Sequence, residues 1–142
     1  MNQKEREQYW IDLEDKFLKG GAAFSEWCSF IAKDTFAAFV HGADLSTTVM
    51  ALACVETYLK TENPDLQNQP LYSLVDKESA LSCEEKEALN KLRHYRNKWV
   101  HTYDLDDDEI VECEAHFIQE AEEMACLAVK MMLTILFLNQ YV

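Results

Sequence analysis

The sequence predicts an all-α fold, in which a bundle of about five helices forms a single domain over residues 1–142. Only three glycines and two prolines occur among 142 residues, too few to supply the turns of many strands. Between these breaks the chain is rich in Ala, Leu, Glu and Lys, which favour helices. The length is typical of one domain, and no internal repeat or low-complexity tract divides it.

The glycines and prolines divide the chain into segments with helical periodicity. The first helix is predicted over 3–19, ending at two glycines, and the second over 22–41, ending at Gly42. The third is predicted over 45–61. Asn63, Pro64, Asn68 and Pro70 then mark an irregular loop over 63–70, followed by a short helical turn over 71–77.

The last two helices are separated by an acidic run. Ser82 and Glu85 form a capping-box pattern at the start of the fourth helix, which continues to residue 101. The acidic run 104–109 ends this helix and precedes a long fifth helix to about residue 139. Carboxylates before a helix N-terminus stabilise it by a few tenths of a kcal/mol each.

The charge of the chain limits its partners. Thirteen Lys and Arg against 26 Asp and Glu give a net charge of −13, which opposes broad binding to nucleic acid or anionic membranes. Four basic residues nevertheless fall within eight positions of the fourth helix: Lys91, Arg93, Arg96 and Lys98. They predict one small basic strip that binds a phosphodiester, or alternatively a solvated helix face with local ion pairs.

The cysteines and the apolar segments favour a cytoplasmic protein. Five cysteines are an odd and scattered set, typical of free thiols in a reducing compartment. The N-terminal segment is polar, unlike a signal peptide, and the most apolar stretch, 124–138, is interrupted by Lys130. No cofactor and no metal site are expected, because Cys113-x-x-His116 is a single pair without a second one.

Arg96 is misplaced on the helical projection of the fourth helix. It falls inside the apolar face, which consists of Ala88, Leu89, Leu92, Tyr95, Trp99 and Val100. On the third helix, Glu56 is similarly placed amid Leu45, Val49, Leu52 and Leu59. Because an unpaired buried charge costs several kcal/mol, the structural interpretation is a buried Arg96–Glu56 ion pair.

The neighbours of Arg96 allow a functional interpretation. Arg93, Asn97 and His101 follow one another at intervals of four residues, so they form one stripe that borders Arg96. His101 lies in the last turn, where the helix dipole favours a cationic imidazole and where a simple capping role is equally suitable.

The segment 96–103, RNKWVHTY, resembles the R-N-x-x-x-H signature of the HEPN superfamily, a group of small helical-bundle proteins of which many are RNases. It also fits the longer R-x4-H-x-Y form of HEPN toxins that are paired with minimal nucleotidyltransferase antitoxins. The third-helix segment ALACVETYLK is similar to the earlier helix of the family, which carries an inward Glu; here that residue is Glu56.

The resemblance implies a metal-independent endoribonuclease of a toxin–antitoxin or antiviral defence system. His101 would act as general acid or base while an RNA 2′-hydroxyl attacks the adjacent phosphate, leaving a 2′,3′-cyclic phosphate. Arg96 would stabilise the charge of the transition state, and Asn97 would orient the phosphate or the imidazole. The remaining basic residues of the strip would bind the substrate: Arg93, Lys98 and Lys91.

The resemblance also implies partners. These are RNA, a second copy of the chain in a homodimer that shares one cleft, and an antitoxin such as a minimal nucleotidyltransferase. Tyr103 occupies the position at which that antitoxin attaches AMP, although a tyrosine packed at the helix end is the alternative. The rival function is a non-catalytic HEPN module that binds a protein or a nucleotide, in which Arg96 and Glu56 only fasten the bundle. A third interpretation is an unrelated helical scaffold.

Overall fold

The computed structural model describes residues 1–101 and 108–141, and within them every regular element is helical. This confirms the predicted all-α class. The α-helices are α1 (Gln3–Phe17), α2 (Glu26–Val40), α3 (Asp44–Glu62), α4 (Leu71–Lys77), α5 (Cys83–Val100), α6 (Asp108–Glu112) and α7 (Glu114–Leu136). A 3₁₀ turn, Pro64–Leu66, lies in the loop between α3 and α4.

The predicted extents of the second and fifth helices are wrong. The second helix begins at Glu26 rather than at residue 22, because Ser25 caps it by accepting a hydrogen bond from the Cys28 amide. The predicted fifth helix is divided into α6 and α7 at Cys113, which has the non-helical φ and ψ of −118° and 27°.

The last described residues turn back onto the connection between α1 and α2. Gly21 and Tyr141 exchange backbone hydrogen bonds of 2.6 and 2.8 Å across an isolated antiparallel bridge. The Gln140 carboxamide oxygen accepts from the Lys19 and Gly20 amides at 2.6 and 2.8 Å. These contacts explain why the helix ends at Leu136 rather than near residue 139, since the backbone that follows pairs with residues 19–21.

Helices α3 and α7 form the centre of the bundle. Helix α3 packs on both α2 and α7, while α5 packs on α7, α3 and α4. The largest fully buried side chains come from four of these helices: Phe39, Leu52, Leu59, Leu89, Leu92, Met132, Leu133 and Ile135. Burial of one such side chain contributes roughly 1.5–3 kcal/mol, so this core fixes the position of α5.

A buried ionic network joins the N-terminal helix to the centre of the bundle. Arg6 is only 4% exposed, and its guanidinium donates to both carboxylate oxygens of Asp44 at 2.6 and 3.2 Å. It also donates to Glu122 at 3.1 Å and to the backbone carbonyl of Phe39 at 3.0 Å. The N-terminal ammonium of Met1 lies 2.9 Å from the same Glu122 oxygen. The network therefore connects α1 to α2, α3 and α7.

This network predicts an acid-sensitive contribution to stability. The hydrogen bond from the Met1 ammonium, with help from Arg6, holds the pKa of Glu122 below its ordinary value. A lowered folded-state pKa adds stability above the unfolded-state pKa, and this stability is lost as the pH falls through the folded value. We expect Glu122→Gln to weaken the dependence of the thermal midpoint on pH between about pH 5 and pH 3. Circular dichroism melts measure this, and identical slopes for the two proteins would contradict it.

Within residues 1–101 and 108–141, no helix combines the length and the apolar character needed to cross a membrane.

Candidate functional site

Helix α5 carries the residues of the R-N-x-x-x-H segment, and its ends and its core face orient them. The predicted capping box is present at its start, with the Glu85 amide 3.1 Å from Ser82 Oγ and the Ser82 amide 2.9 Å from Glu85 Oε1. Leu89, Leu92 and Tyr95 are buried against the bundle. Val100, which was predicted on the apolar face, is 47% exposed. The opposite side of α5 faces solvent.

Arg96 lies half-buried at the edge of the core face, beside α3 residues that include Leu45 and Val49. Its Nε and Nη2 donate to Asn97 Oδ1 at 3.2 and 3.0 Å. The expected ion pair with Glu56 is wrong, because Glu56 pairs at 2.9 Å with Lys60 one turn along α3. Both Arg96 and Glu56 keep partial contact with solvent, so burial does not force them together. Glu56 therefore does not contact Arg96, as its expected supporting role would require.

Asn97 contacts Arg96 through its side chain and His101 through its backbone. Its side-chain oxygen accepts both guanidinium hydrogen bonds, and its backbone carbonyl accepts from the His101 amide at 2.9 Å. His101 is the C-cap residue of α5 and is exposed. The structure thus brings three predicted site residues to one helix end: an oriented guanidinium, the carboxamide that orients it and a solvent-facing histidine.

Arg93 lies on the same side of α5 as Arg96 and contacts Tyr72 of α4, which no sequence pattern indicated. Its Nε is 3.5 Å from Asn90 Oδ1, and its Nη2 is 3.3 Å from His94 Nε2. Its Cζ lies 5.6 Å from the ring centroid of Tyr72 on α4. No local sequence signal indicates this contact, because it depends on how α4 packs against α5.

Lys91 and Lys98 lie on the other flank of α5, facing α7. Lys98 Nζ is 3.9 Å from a Glu120 carboxylate oxygen and 4.9 Å from the ring centroid of Phe117. Lys91 lines a cleft of about 340 Å³ between α5 and α7, together with His116, Glu120 and Glu123. The predicted single basic strip is therefore wrong: its two lysines and its two arginines point to different sides.

Helix geometry explains the separation. Lys91 precedes Arg96 by five residues, as Arg93 precedes Lys98, and five residues correspond to about 140° around the helix axis. Closeness in sequence is therefore compatible with opposite flanks. All four residues cannot bind one phosphodiester as expected, and only Arg93 and Arg96 remain candidates for that contact.

The arginines differ in how their charge is compensated. Two carboxylates, Asp44 and Glu122, neutralise Arg6. In the described parts of the chain, Arg93 and Arg96 have no carboxylate within 4 Å, and the side chains that accept from them are neutral. A guanidinium held by a carboxamide keeps its full positive charge for a ligand such as a phosphate.

Two further predictions concern residues outside this site. Tyr103 and the residues between 102 and 107 lie outside the described part of the chain. Cys113 is exposed at the start of α7. In residues 1–101 and 108–141, no three His, Cys, Asp or Glu side chains gather as they would around a metal ion.

Comparisons of this chain with models of protein families, with curated proteins and with solved structures found no match. Any inference about function therefore starts from the side chains on the surface of α5. It offers two guanidiniums held by carboxamides, an exposed histidine at the helix end and an exposed tyrosine ring on the adjoining helix.

Proposed function

We propose that this chain is a metal-independent endoribonuclease whose HEPN-type site lies at the C-terminal end of α5. One observation carries the proposal. The Arg96 guanidinium is oriented by Asn97 and has no carboxylate partner in the described residues, and the exposed His101 follows five residues later as the C-cap of the same helix. A fixed cation can stabilise the transition state of RNA phosphodiester cleavage, and a histidine can transfer its protons.

The reaction transfers the phosphorus from one oxygen of the RNA to another. The ribose 2′-oxygen forms a bond to the adjacent phosphorus while the bond from phosphorus to the 5′-oxygen breaks. A base takes the 2′-hydroxyl proton, and an acid gives a proton to the departing 5′-oxygen, leaving a 2′,3′-cyclic phosphate and a 5′-hydroxyl. His101 serves as the acid or the base, since imidazole is the group most often used for such transfers.

Arg96 and Asn97 have different roles in this proposal. The guanidinium of Arg96 stabilises the additional negative charge that develops on the phosphate oxygens in the transition state. Asn97 acts on Arg96 rather than on the substrate, because its side-chain oxygen accepts both guanidinium bonds. Asn97 is thus a positioning residue.

We expect His101→Ala to reduce RNA cleavage by about 10²- to 10⁴-fold, the usual contribution of a general acid or base. Purified protein is incubated with total RNA in excess EDTA, and the new ends are assayed for cyclic phosphate. His41→Ala is the matched control, because His41 is also an exposed C-cap histidine, at the end of α2. Wild-type protein that does not cleave, or a folded His101→Ala protein that cleaves normally, would refute the proposed activity.

The proposal includes the partners that the family resemblance implies. A homodimer that joins two copies of the α5 site doubles the local positive charge, which offsets the repulsion of RNA by a chain of net charge −13. We further propose a cytoplasmic role in a toxin–antitoxin or antiviral system, with an antitoxin that acts on Tyr103. Intact mass spectrometry of the co-expressed pair tests this, since AMP on Tyr103 adds a defined mass.

A second candidate function is a non-catalytic module that binds a protein partner. It is favoured by two aromatic side chains on α2, Trp27 and Phe30, which are 77% and 69% exposed. They line an apolar cleft with Glu26 and Ile31, and exposed aromatic patches are typical of protein interfaces. This function predicts that Trp27→Ala abolishes partner binding and that His101→Ala does not affect it.

A further inference from the structure

We propose that the solvent side of α5, together with Tyr72 of α4, forms a binding site for single-stranded RNA in which one base stacks on the Tyr72 ring. The site consists of Tyr72 and of the α5 stripe, defined as Asn90, Arg93, Asn97 and His101. The inference rests on the proposed function and adds to it the class of substrate and a base-binding position remote from the reacting phosphate.

The spacing of the α5 stripe places its four side chains on one line. Successive members are three, four and four residues apart, which keeps them on one side of a helix. Leu89, Leu92 and Tyr95 are buried on the core side, whereas Asn90, Arg93 and Asn97 are half-buried and His101 is exposed. From Arg93 to His101 the helix rises about 12 Å, enough for RNA to contact both ends of the stripe.

The α5 segment 90–101 is rich in positive charge, since it carries four of the 13 Lys and Arg of the chain. The chain contains 26 Asp and Glu, yet none lies between residues 90 and 101. Arg93 is held by Asn90 and Arg96 by Asn97, both through neutral carboxamide oxygens. The only carboxylate on α4 is that of Asp76, one turn beyond Tyr72. This is the charge pattern that a short polyanion requires on an otherwise acidic body.

Tyr72 supplies an exposed aromatic ring beside the basic residues. It is 55% exposed, although its helix buries its neighbours Leu71 and Leu74, and its ring lies against the Arg93 guanidinium. Tyrosine rings and guanidinium planes are the surfaces on which unpaired bases stack. The Arg93 guanidinium lies over the ring and can also attract the neighbouring phosphate.

Stacking also determines which nucleic acid fits. Bases in a duplex are stacked on one another and shielded, so an exposed tyrosine can bind only an unpaired base. A base on Tyr72 and a phosphate at His101 place the contacted nucleotides on one extended strand. The expected substrate is therefore an unpaired loop or end rather than a continuous helix.

The test measures binding separately from cleavage. Wild-type protein is titrated against a fluorescein-labelled single-stranded RNA oligonucleotide of mixed sequence with methylated 2′-hydroxyls, which the proposed reaction cannot cleave. Tyr72→Ala should weaken binding at least about fivefold, as expected for the loss of one stacked base. Tyr72→Phe should preserve binding because it keeps the ring. Tyr141→Ala removes an exposed tyrosine elsewhere on the surface and should have no effect.

Salt dependence provides a second readout. Arg93→Gln should lower the slope of log binding constant against log salt by about one phosphate contact. The inference is overturned if the wild-type protein does not bind the oligonucleotide, if Tyr72→Ala binds it as tightly as Tyr72→Phe, or if duplex RNA binds equally well. It is also overturned if polyglutamate competes as effectively as RNA, which would indicate an acidic protein partner. Binding that depends on Tyr72, without cleavage by wild-type protein, would refute the proposed nuclease and retain the RNA site.

Discussion

Replacing Arg6 by Ala is expected to lower the free energy of unfolding by about 3 to 5 kcal/mol, the usual cost of breaking a buried ion pair. The side chain is 4% exposed and makes three hydrogen bonds to the carboxylates of Asp44 and Glu122. Its removal leaves Asp44 without its guanidinium partner, leaves Glu122 with the Met1 ammonium alone, and leaves the Phe39 carbonyl without its guanidinium donor. Urea denaturation followed by circular dichroism measures the change.

Two further variants separate the charge of Arg6 from its volume. Arg6→Met keeps most of the apolar stem but still leaves Asp44 unpaired, so it should remain strongly destabilised. Combining it with Asp44→Leu should recover a large part of the loss, because no isolated charge remains. Lys4→Ala, on the exposed side of the same helix, is the control. A loss below about 1 kcal/mol in Arg6→Ala would show that the network is solvated.

Replacing Arg96 by Ala is expected to have the opposite pattern, with a large loss of RNA cleavage and little loss of stability. On the proposed function the guanidinium stabilises the transition state, and removal of one such group costs about 10²- to 10³-fold in rate. The side chain is half-buried, and its hydrogen-bond partner is the adjacent neutral Asn97, so unfolding should change by less than about 1 kcal/mol.

The conservative variant sharpens this prediction. Arg96→Lys keeps the charge but loses the planar fork that donates two bonds to Asn97, so cleavage should recover only in part. Lys33→Ala removes an exposed cation from α2 and controls for net charge. Cleavage rates in EDTA are compared with urea denaturation curves of the same preparations. Equal cleavage by Arg96→Ala and wild type would remove Arg96 from the mechanism.

The features that the sequence predicted correctly depend on neighbours along the chain. The Ser82–Glu85 capping box and the end of α3 before Pro64 both arise within a few residues. Helical geometry converts such patterns directly into structure. The class of fold and the end of α5 that carries the candidate site could therefore be predicted.

The features that the sequence could not predict depend on packing between distant segments. Arg6 lies in a polar N-terminal segment, and its carboxylate partners are 38 and 116 residues away. Glu56 forms an ion pair with Lys60 on the same helix rather than the expected pair with Arg96. Tyr72 acquired its place beside Arg93 only because α4 docks on α5. These contacts depend on how distant segments pack, which can override the preferences of the local sequence.

The central position of α7 has a consequence for the newly made protein. Translation completes α5, with Arg96 and His101, before it begins the helix that covers the core side of α5 and receives the Arg6 network. A nascent chain that stops before Glu114 therefore contains the candidate site residues but not the central helix that holds α5 in place. Because long-range contacts form only once both segments have been synthesised, a working site should arise late, after α7 has left the ribosome. On the proposed function, RNA cleavage would therefore not precede the synthesis of α7.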